Sequence, residues 1–294
     1  MKKAGIVILY CLALSSCLRL DANLFSNKKV SAYLFDANHA TQEISLDSTY
    51  IIPAKLTHLI QLVSDDNGDK VTIYGIYLGD TASISKDTVI MYFHGTKDNM
   101  DYYWNRAKLL ANTGGKDRFG VLMIDYRGYG MSSGTPTESG MYADAKAALD
   151  WLRDKGLSGN RLIVYGYSLG SAPATYVAAE TVSLRPSKLV LEAPFASAAV
   201  MVHDAALLAF PPSYFTNLKI DNSEEIKKVQ QPFMWIHGIN DDFLNINTHG
   251  EAVYKNYQGT YKEAWRITGA THTNVPTVWG MENYKNALTA FIMR

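Results

Sequence analysis

Cysteine is nearly missing from this chain: 294 residues carry two, Cys11 and Cys17. No disulfide framework is expected to staple the fold, so its stability must come from a buried core. A surplus of charge is missing too, since 28 basic side chains balance 28 acidic ones. Without a basic excess or a charged run, nucleic acid is excluded as an expected partner, because that binding rests on clustered cations meeting phosphates. Neither a dinucleotide fingerprint nor a phosphate loop occurs, and no His, Cys, Asp and Glu set has metal-ligand spacing. The chemistry is therefore expected to need no cofactor. With no internal repeat, low-complexity tract or second core, the body reads as one domain.

What is present begins with Lys2 and Lys3, the apolar stretch "AGIVILYCLAL" and then "SSC". A positive start, an apolar run too short for an ordinary spanning helix, and small residues describe a secretory signal. Leu14-Ser15-Ser16-Cys17 further resembles the lipobox of bacterial lipoproteins. That resemblance implies removal of residues 1–16 together with Cys11, lipid on Cys17, and attachment to a membrane of the bacterial cell envelope. The plainer reading is a signal peptide with a chance cysteine. Residues 17–50 are polar and weakly periodic, a tether plus an irregular N-terminal segment, and the folded domain is expected over 51–294.

From His58 two β-rich runs flank Asp66-Asn67-Gly68-Asp69, the signature of an antiparallel hairpin. Thereafter "TVIMYFHG", "FGVLMIDYRGYG", "RLIVYGYS", "KLVLEAPF", "PFMWIHG" and "EAWRITGA" alternate with helical stretches. Such short apolar runs suit buried parallel strands. Thr135-Pro136-Thr137-Glu138 has capping-box spacing with proline at the first helical position. After it Met141, Ala145, Ala148, Leu149 and Leu152 mark one apolar stripe. Met281, Tyr284, Leu288, Phe291 and Ile292 repeat that rhythm in a last helix. The expected class is α/β: a mostly parallel sheet with an antiparallel N-terminal hairpin and helices on both faces.

Ser168 stands in Gly166-Tyr167-Ser168-Leu169-Gly170, between a strand-like "RLIVY" and a helix-like "LGSAPATYVAAE". A strand that turns at once into a helix leaves no room for side chains, so glycines flank the serine and its oxygen is lifted clear of the sheet. A serine hydroxyl needs a base, and the base an orienting carboxylate. Of the later histidines, His272 falls just past the last expected strand, where open α/β sheets place their sites. His237 reads as a hydrogen-bonded strand-end residue, and His203 and His249 as surface or cap residues. Asp241, Asp242 and Glu192 are the candidate acids.

The segments "FHGTKDN", "LMIDYRGYGMS", "YGYSLGS", "EAPF", "IHGINDD" and "GATHTN" run in order across residues 93–274. In these the chain resembles α/β-hydrolases of the serine-hydrolase type, in the group of serine aminopeptidase-like hydrolases and protein depalmitoylases. The resemblance implies the α/β-hydrolase fold and Asp241 as the acid, four residues after His237. Asp242 and Glu192 are then structural. It also implies an oxyanion hole from the backbone amides of Thr96 and Leu169, although asparagine or glycine often stands where this chain has Thr96. Asp125 and Arg127 are read as pinning a turn. Residues 196–231 make a minimal lid whose Val200, Met201, Leu207, Leu208, Phe210 and Phe215 either line an acyl groove or simply cover the sheet. The expected activity is hydrolysis of a carboxylic ester or thioester. The competing readings are a serine peptidase and a non-catalytic, membrane-tethered binding protein.

Overall fold

The computed structural model describes residues 24–37, 42–206 and 216–294. The signal segment with Cys11 and Cys17 lies outside the described residues, as do Leu207, Leu208, Phe210 and Phe215. The strands are β1 (Thr57–Asp66), β2 (Asp69–Leu78), β3 (Val89–Phe93), β4 (Gly120–Asp125), β5 (Leu162–Tyr167), β6 (Lys188–Glu192), β7 (Phe233–Gly238) and β8 (Lys262–Ile267). They form one sheet in the order β1-β2-β4-β3-β5-β6-β7-β8. The β1–β2 hairpin turns through Asn67 and Gly68, both at positive φ, with Asp66 opposite Asp69. The β2–β4 pairing is also antiparallel, and every pairing from β4 to β8 is parallel.

Side chains of β3, β4, β5 and β7 are buried on both faces, which is why these runs read as continuous rather than alternating apolar stretches. Helices cover the two sides. One apolar layer holds Met141, Ala145, Ala148 and Leu149 of α2 (Glu138–Asp154) and Val177 of α3 (Ser171–Ala179). The other holds Trp104 and Leu110 of α1 (Met100–Ala111). The helices that follow are α4 (Ala198–Ala206), α5 (Asn222–Glu225), α6 (Gly250–Asn256), α7 (Val275–Trp279) and α8 (Met281–Met293). Tyr284, Leu288, Phe291 and Ile292 of α8 are buried in the same layer as Trp104.

Two expectations need correction. The cap of α2 is Thr137, whose side chain accepts from Gly140 N–H at 3.0 Å, not Thr135. Pro136 stands before that cap and so outside the helix, packed against Gly128, where a Cβ would lie 2.5 Å from its Cδ. Residues 24–37 and 42–50 hold no more than short 3₁₀ turns and isolated bridges, but they are no free tether. Leu24, Ile44 and Tyr50 are buried, and Asn27 and Lys29 bridge to Asp98 and Gly130. Of the two places expected for His249, surface or cap, the structure takes the cap: it is the N-cap of α6, buried there, and its Nδ1 accepts from Ala196 N–H at 3.1 Å.

Arg127 pins α2 to the hairpin, donating to Asp144 at 3.0 Å and to Ser64 at 2.9 Å. Asp125 accepts from Met100 N–H at 2.9 Å and from Tyr33 Oη at 2.6 Å. In the described part of the lid, Met201 packs against the core and Val202 is buried, so these residues cover the sheet.

Candidate active site

β5 ends at Tyr167, three residues of tight 3₁₀ turn follow, and α3 begins at Ser171. Ser168 sits in that turn at φ +52°, a left-handed conformation that side chains rarely adopt. Such strain persists only where packing over-determines it, and the flanking glycines show how tight the packing is. A Cβ on Gly166 would meet the Gly170 carbonyl oxygen at 2.5 Å, and one on Gly170 would meet that of Phe93 at 2.0 Å.

The loops after β7 and β8 bring the other two residues to the serine. His272 Nε2 lies 2.9 Å from Ser168 Oγ, and His272 Nδ1 lies 2.8 Å from Asp241 Oδ2. The carboxylate can only accept, so Nδ1 carries the proton and Nε2 accepts from the serine hydroxyl. The two loops also hold each other: Asn240 N–H donates to the Ala270 carbonyl at 2.9 Å, and Gly269 N–H to Asn240 Oδ1 at 3.0 Å. The His272 ring lies between Tyr167 and Phe243, with centroids at 5.5 and 5.0 Å, and Tyr167 Oη donates to its backbone carbonyl at 3.1 Å.

Asp241 is the best-served acceptor of the site. Oδ1 takes the Phe243 and Leu244 amides at 2.9 and 2.7 Å, while Oδ2 takes His272 and also His237 Nε2 at 3.0 Å. Burial alone would raise its pKa. The hydrogen bonds from His237 and His272 outweigh that and hold the carboxyl well below the usual carboxylate range. Trp235 Nε1 donates to His237 Nδ1 at 3.2 Å, which leaves Nε2 as the protonated nitrogen facing Asp241. Gly250 leaves room for this pair, since a Cβ there would sit 2.3 Å from His237 Nδ1.

The rival acids are placed elsewhere. Asp242 is exposed. Glu192 is buried and accepts from Arg106 Nη1 at 2.6 Å, from Tyr284 Oη at 2.8 Å and from Tyr165 Oη. Arg106 also grips Glu43 through Nε at 2.8 Å and Nη2 at 3.0 Å, and its guanidinium lies 4.3 Å from the centroid of Tyr167. This buried cluster backs the His272 loop, and no local sequence signal announced it.

Thr96, Lys97, Tyr102, Tyr103, Tyr167, Phe243 and Thr273 line a cavity of about 180 Å³ that opens onto Ser168 and His272. Thr96 stands in the loop after β3 and Leu169 directly after the serine. Among the described residues no group of three or more His, Cys, Asp or Glu could hold a metal ion. Among them, too, no helix is long and apolar enough to cross a membrane.

A family model described as the alpha/beta hydrolase fold matches residues 88–233. The human alpha/beta hydrolase domain-containing protein 17B is 32% identical over 193 residues, which are 63% of this chain and 60% of the relative. Its counterpart in Xenopus laevis is 31% identical over the same shares. The chain thus spans less than two thirds of the curated relatives that it matches. Among solved structures, an esterase of Pyrococcus furiosus superposes with a TM-score of 0.68 at 18% identity, over 92% of this chain and 98% of the other. Acetyl xylan esterase 1 of Thermoanaerobacterium gives 0.63 at 19%, over 82% and 84%. Sheet order, turn positions and these likenesses agree: the chain has the α/β-hydrolase fold.

Proposed function

We propose that this hydrolase is a serine hydrolase that cleaves carboxylic esters or thioesters through an acyl-enzyme. The observation that carries the reading is the unbroken relay from Ser168 Oγ to His272 to Asp241, at 2.9 and 2.8 Å. In this reading Ser168 attacks the substrate carbonyl as His272 Nε2 takes its proton. The N–H groups of Thr96 and Leu169 stabilise the oxyanion, and His272 then protonates the leaving alkoxide or thiolate. Water repeats the sequence on the acyl-enzyme and regenerates the serine. Asp241 remains ionised and steadies the imidazolium.

An ester is favoured over a peptide with a free amino terminus by the cavity itself. None of its described lining residues is a carboxylate that could hold an ammonium group, and Lys97 stands among them, 4.4 Å from the centroid of Tyr102. Two of the structural neighbours are esterases, which points the same way. Cys17 is proposed to carry lipid after export and to hold the protein on a membrane of the cell envelope, on the strength of Leu14-Ser15-Ser16-Cys17.

The deciding experiment is labelling with a fluorophosphonate, followed by turnover of p-nitrophenyl butyrate. Ser168→Ala should lose both, with residual turnover below about 1% of wild type. Turnover that survives the substitution removes the reading.

A further inference from the structure

Residues 24–30 lie across the loop that carries Thr96. Ser26 N–H donates to Thr96 Oγ1 at 3.0 Å, and that hydroxyl in turn donates to the Leu24 carbonyl. Beside this clamp, Lys28 N–H donates to the Asp98 carbonyl and Asp98 N–H to the Ser26 carbonyl, each at 2.9 Å. The segment has a second footing on the turn after β4. Asn27 Nδ2 donates to the Gly128 carbonyl at 2.6 Å, Gly130 N–H to that of Lys28 at 2.9 Å, and Val30 N–H to that of Gly130 at 3.0 Å.

The rest of the loop is tied down from the other side. Lys97 N–H donates to Tyr103 Oη at 3.1 Å, and the same hydroxyl sits so close to Gly95 that a Cβ there would lie 2.6 Å from it. Asp98 is held at φ +59°, a conformation that persists only under outside constraint. The amides of Lys97 and Asp98 are thus engaged with the protein. That of Thr96 makes no hydrogen bond to the described residues, while its own side chain is gripped from both ends.

We propose that residues 24–30 are a positioning strap for the oxyanion hole: by clamping the Thr96 hydroxyl between Leu24 and Ser26, they aim the Thr96 amide at the reacting carbonyl. The proposal rests on the serine-hydrolase reading above. It also accounts for a threonine where the resemblance leads one to expect asparagine or glycine, because here the side chain has a strap to hold. A donor is useful in an oxyanion hole only if it is fixed before the charge develops, and misplacement by about 1 Å can cost roughly 100-fold.

Three variants test this, measured by kcat and KM on p-nitrophenyl butyrate, by Ki for an alkyl trifluoromethyl ketone, and by melting temperature. The ketone adds to Ser168 and places its oxyanion in the same hole. Thr96→Val keeps the amide and loses the clamp. It should lower kcat roughly 10- to 100-fold with KM little changed, and weaken the ketone in parallel. Thr96→Ser should restore most of that loss. Asn27→Ala frees the second footing without touching the site and should give a smaller loss of the same kind. Lower melting temperatures with kcat and Ki unmoved in both Thr96→Val and Asn27→Ala would make the segment a mere cover and overturn the proposal. Turnover surviving Ser168→Ala would instead remove the underlying reading, and the strap with it.

Discussion

His237 Nε2 donates to Asp241 Oδ2 across 3.0 Å, on the same oxygen that His272 Nδ1 reaches at 2.8 Å. With its tautomer set by Trp235, His237 acts as a fixed donor that steers the carboxylate. His237→Phe would remove that donor and leave Trp235 Nε1 without an acceptor, at about 1–3 kcal/mol. Felt in the transition state, this is roughly a tenfold or greater fall in kcat. Steady-state kinetics on p-nitrophenyl butyrate check it, and an unchanged kcat would reduce His237 to a packing residue.

The two neighbouring aspartates should separate sharply. Asp241→Asn leaves His272 Nδ1 without its charged acceptor and invites the wrong imidazole tautomer, which in such triads costs about 10⁴ in kcat. Asp242→Asn, on an exposed side chain, should leave kcat within about twofold, since surface changes away from special features have small effects. The reverse ranking would place the acid one residue further along.

His249 predicts a pH dependence of stability. Burial lowers its pKa to about 4, against an opposing pull from Asp204, whereas an unfolded histidine titrates near 6.5. As pH falls below about 6.5 the unfolded chain takes up a proton that the fold refuses until about 4. Stability therefore drops across that window, by about 3 kcal/mol at most, and levels off below it. His249→Gln, which can still accept from Ala196 N–H, should flatten the melting-temperature curve between pH 6.5 and 4. Parallel curves for the two proteins would count against this.

Acyl preference should be graded. Discrimination in an apolar pocket is about 1–3 kcal/mol per methylene at best, and the cavity of about 180 Å³ is walled by Tyr102, Tyr103, Tyr167 and Phe243. Short and medium acyl esters should outrun long ones by kcat/KM, and p-nitrophenyl butyrate should outrun an amino-acid p-nitroanilide. Faster cleavage of the anilide would move the protein to the peptidase reading.

Cys17→Ser removes the only thiol proposed to accept lipid. Growth with a labelled fatty acid should mark the wild-type protein and not the variant. Label retained on the serine variant would sink the lipoprotein assignment.

The sheet and the candidate site were legible because their signals are local. Apolar runs gave the strands, Gly166 and Gly170 framed Ser168, and Asp241 and His272 followed the last two strands. The buried cluster was not legible, because Arg106 meets Glu43 and Glu192 across 63 and 86 residues of sequence, and no periodicity links them. His249 read as a surface or cap residue, with nothing to announce its burial, because its neighbours Asn247, Thr248 and Glu251 are polar. Its burial comes with contacts distant in sequence, to Ala196 and Asp204. Residues 24–37 and 42–50 defeated pattern reading because they attach one contact at a time, through Leu24, Tyr33, Glu43 and Tyr50, without the repeat that a long helix or strand would print on the sequence.

The bond between Leu24 and Thr96 also sets a length scale. Leu24 stands seven residues beyond Cys17, and a chain of that length reaches at most roughly 25 Å when drawn taut. With lipid on Cys17, the mouth of the cavity would work within a layer about that thick above the bilayer. Acyl compounds lodged in the membrane would be met by lateral diffusion at high local concentration, while dilute esters in bulk solution would have to find a stationary target. A short leash of this kind would make the address of a substrate, and not only its shape, part of what such a hydrolase selects.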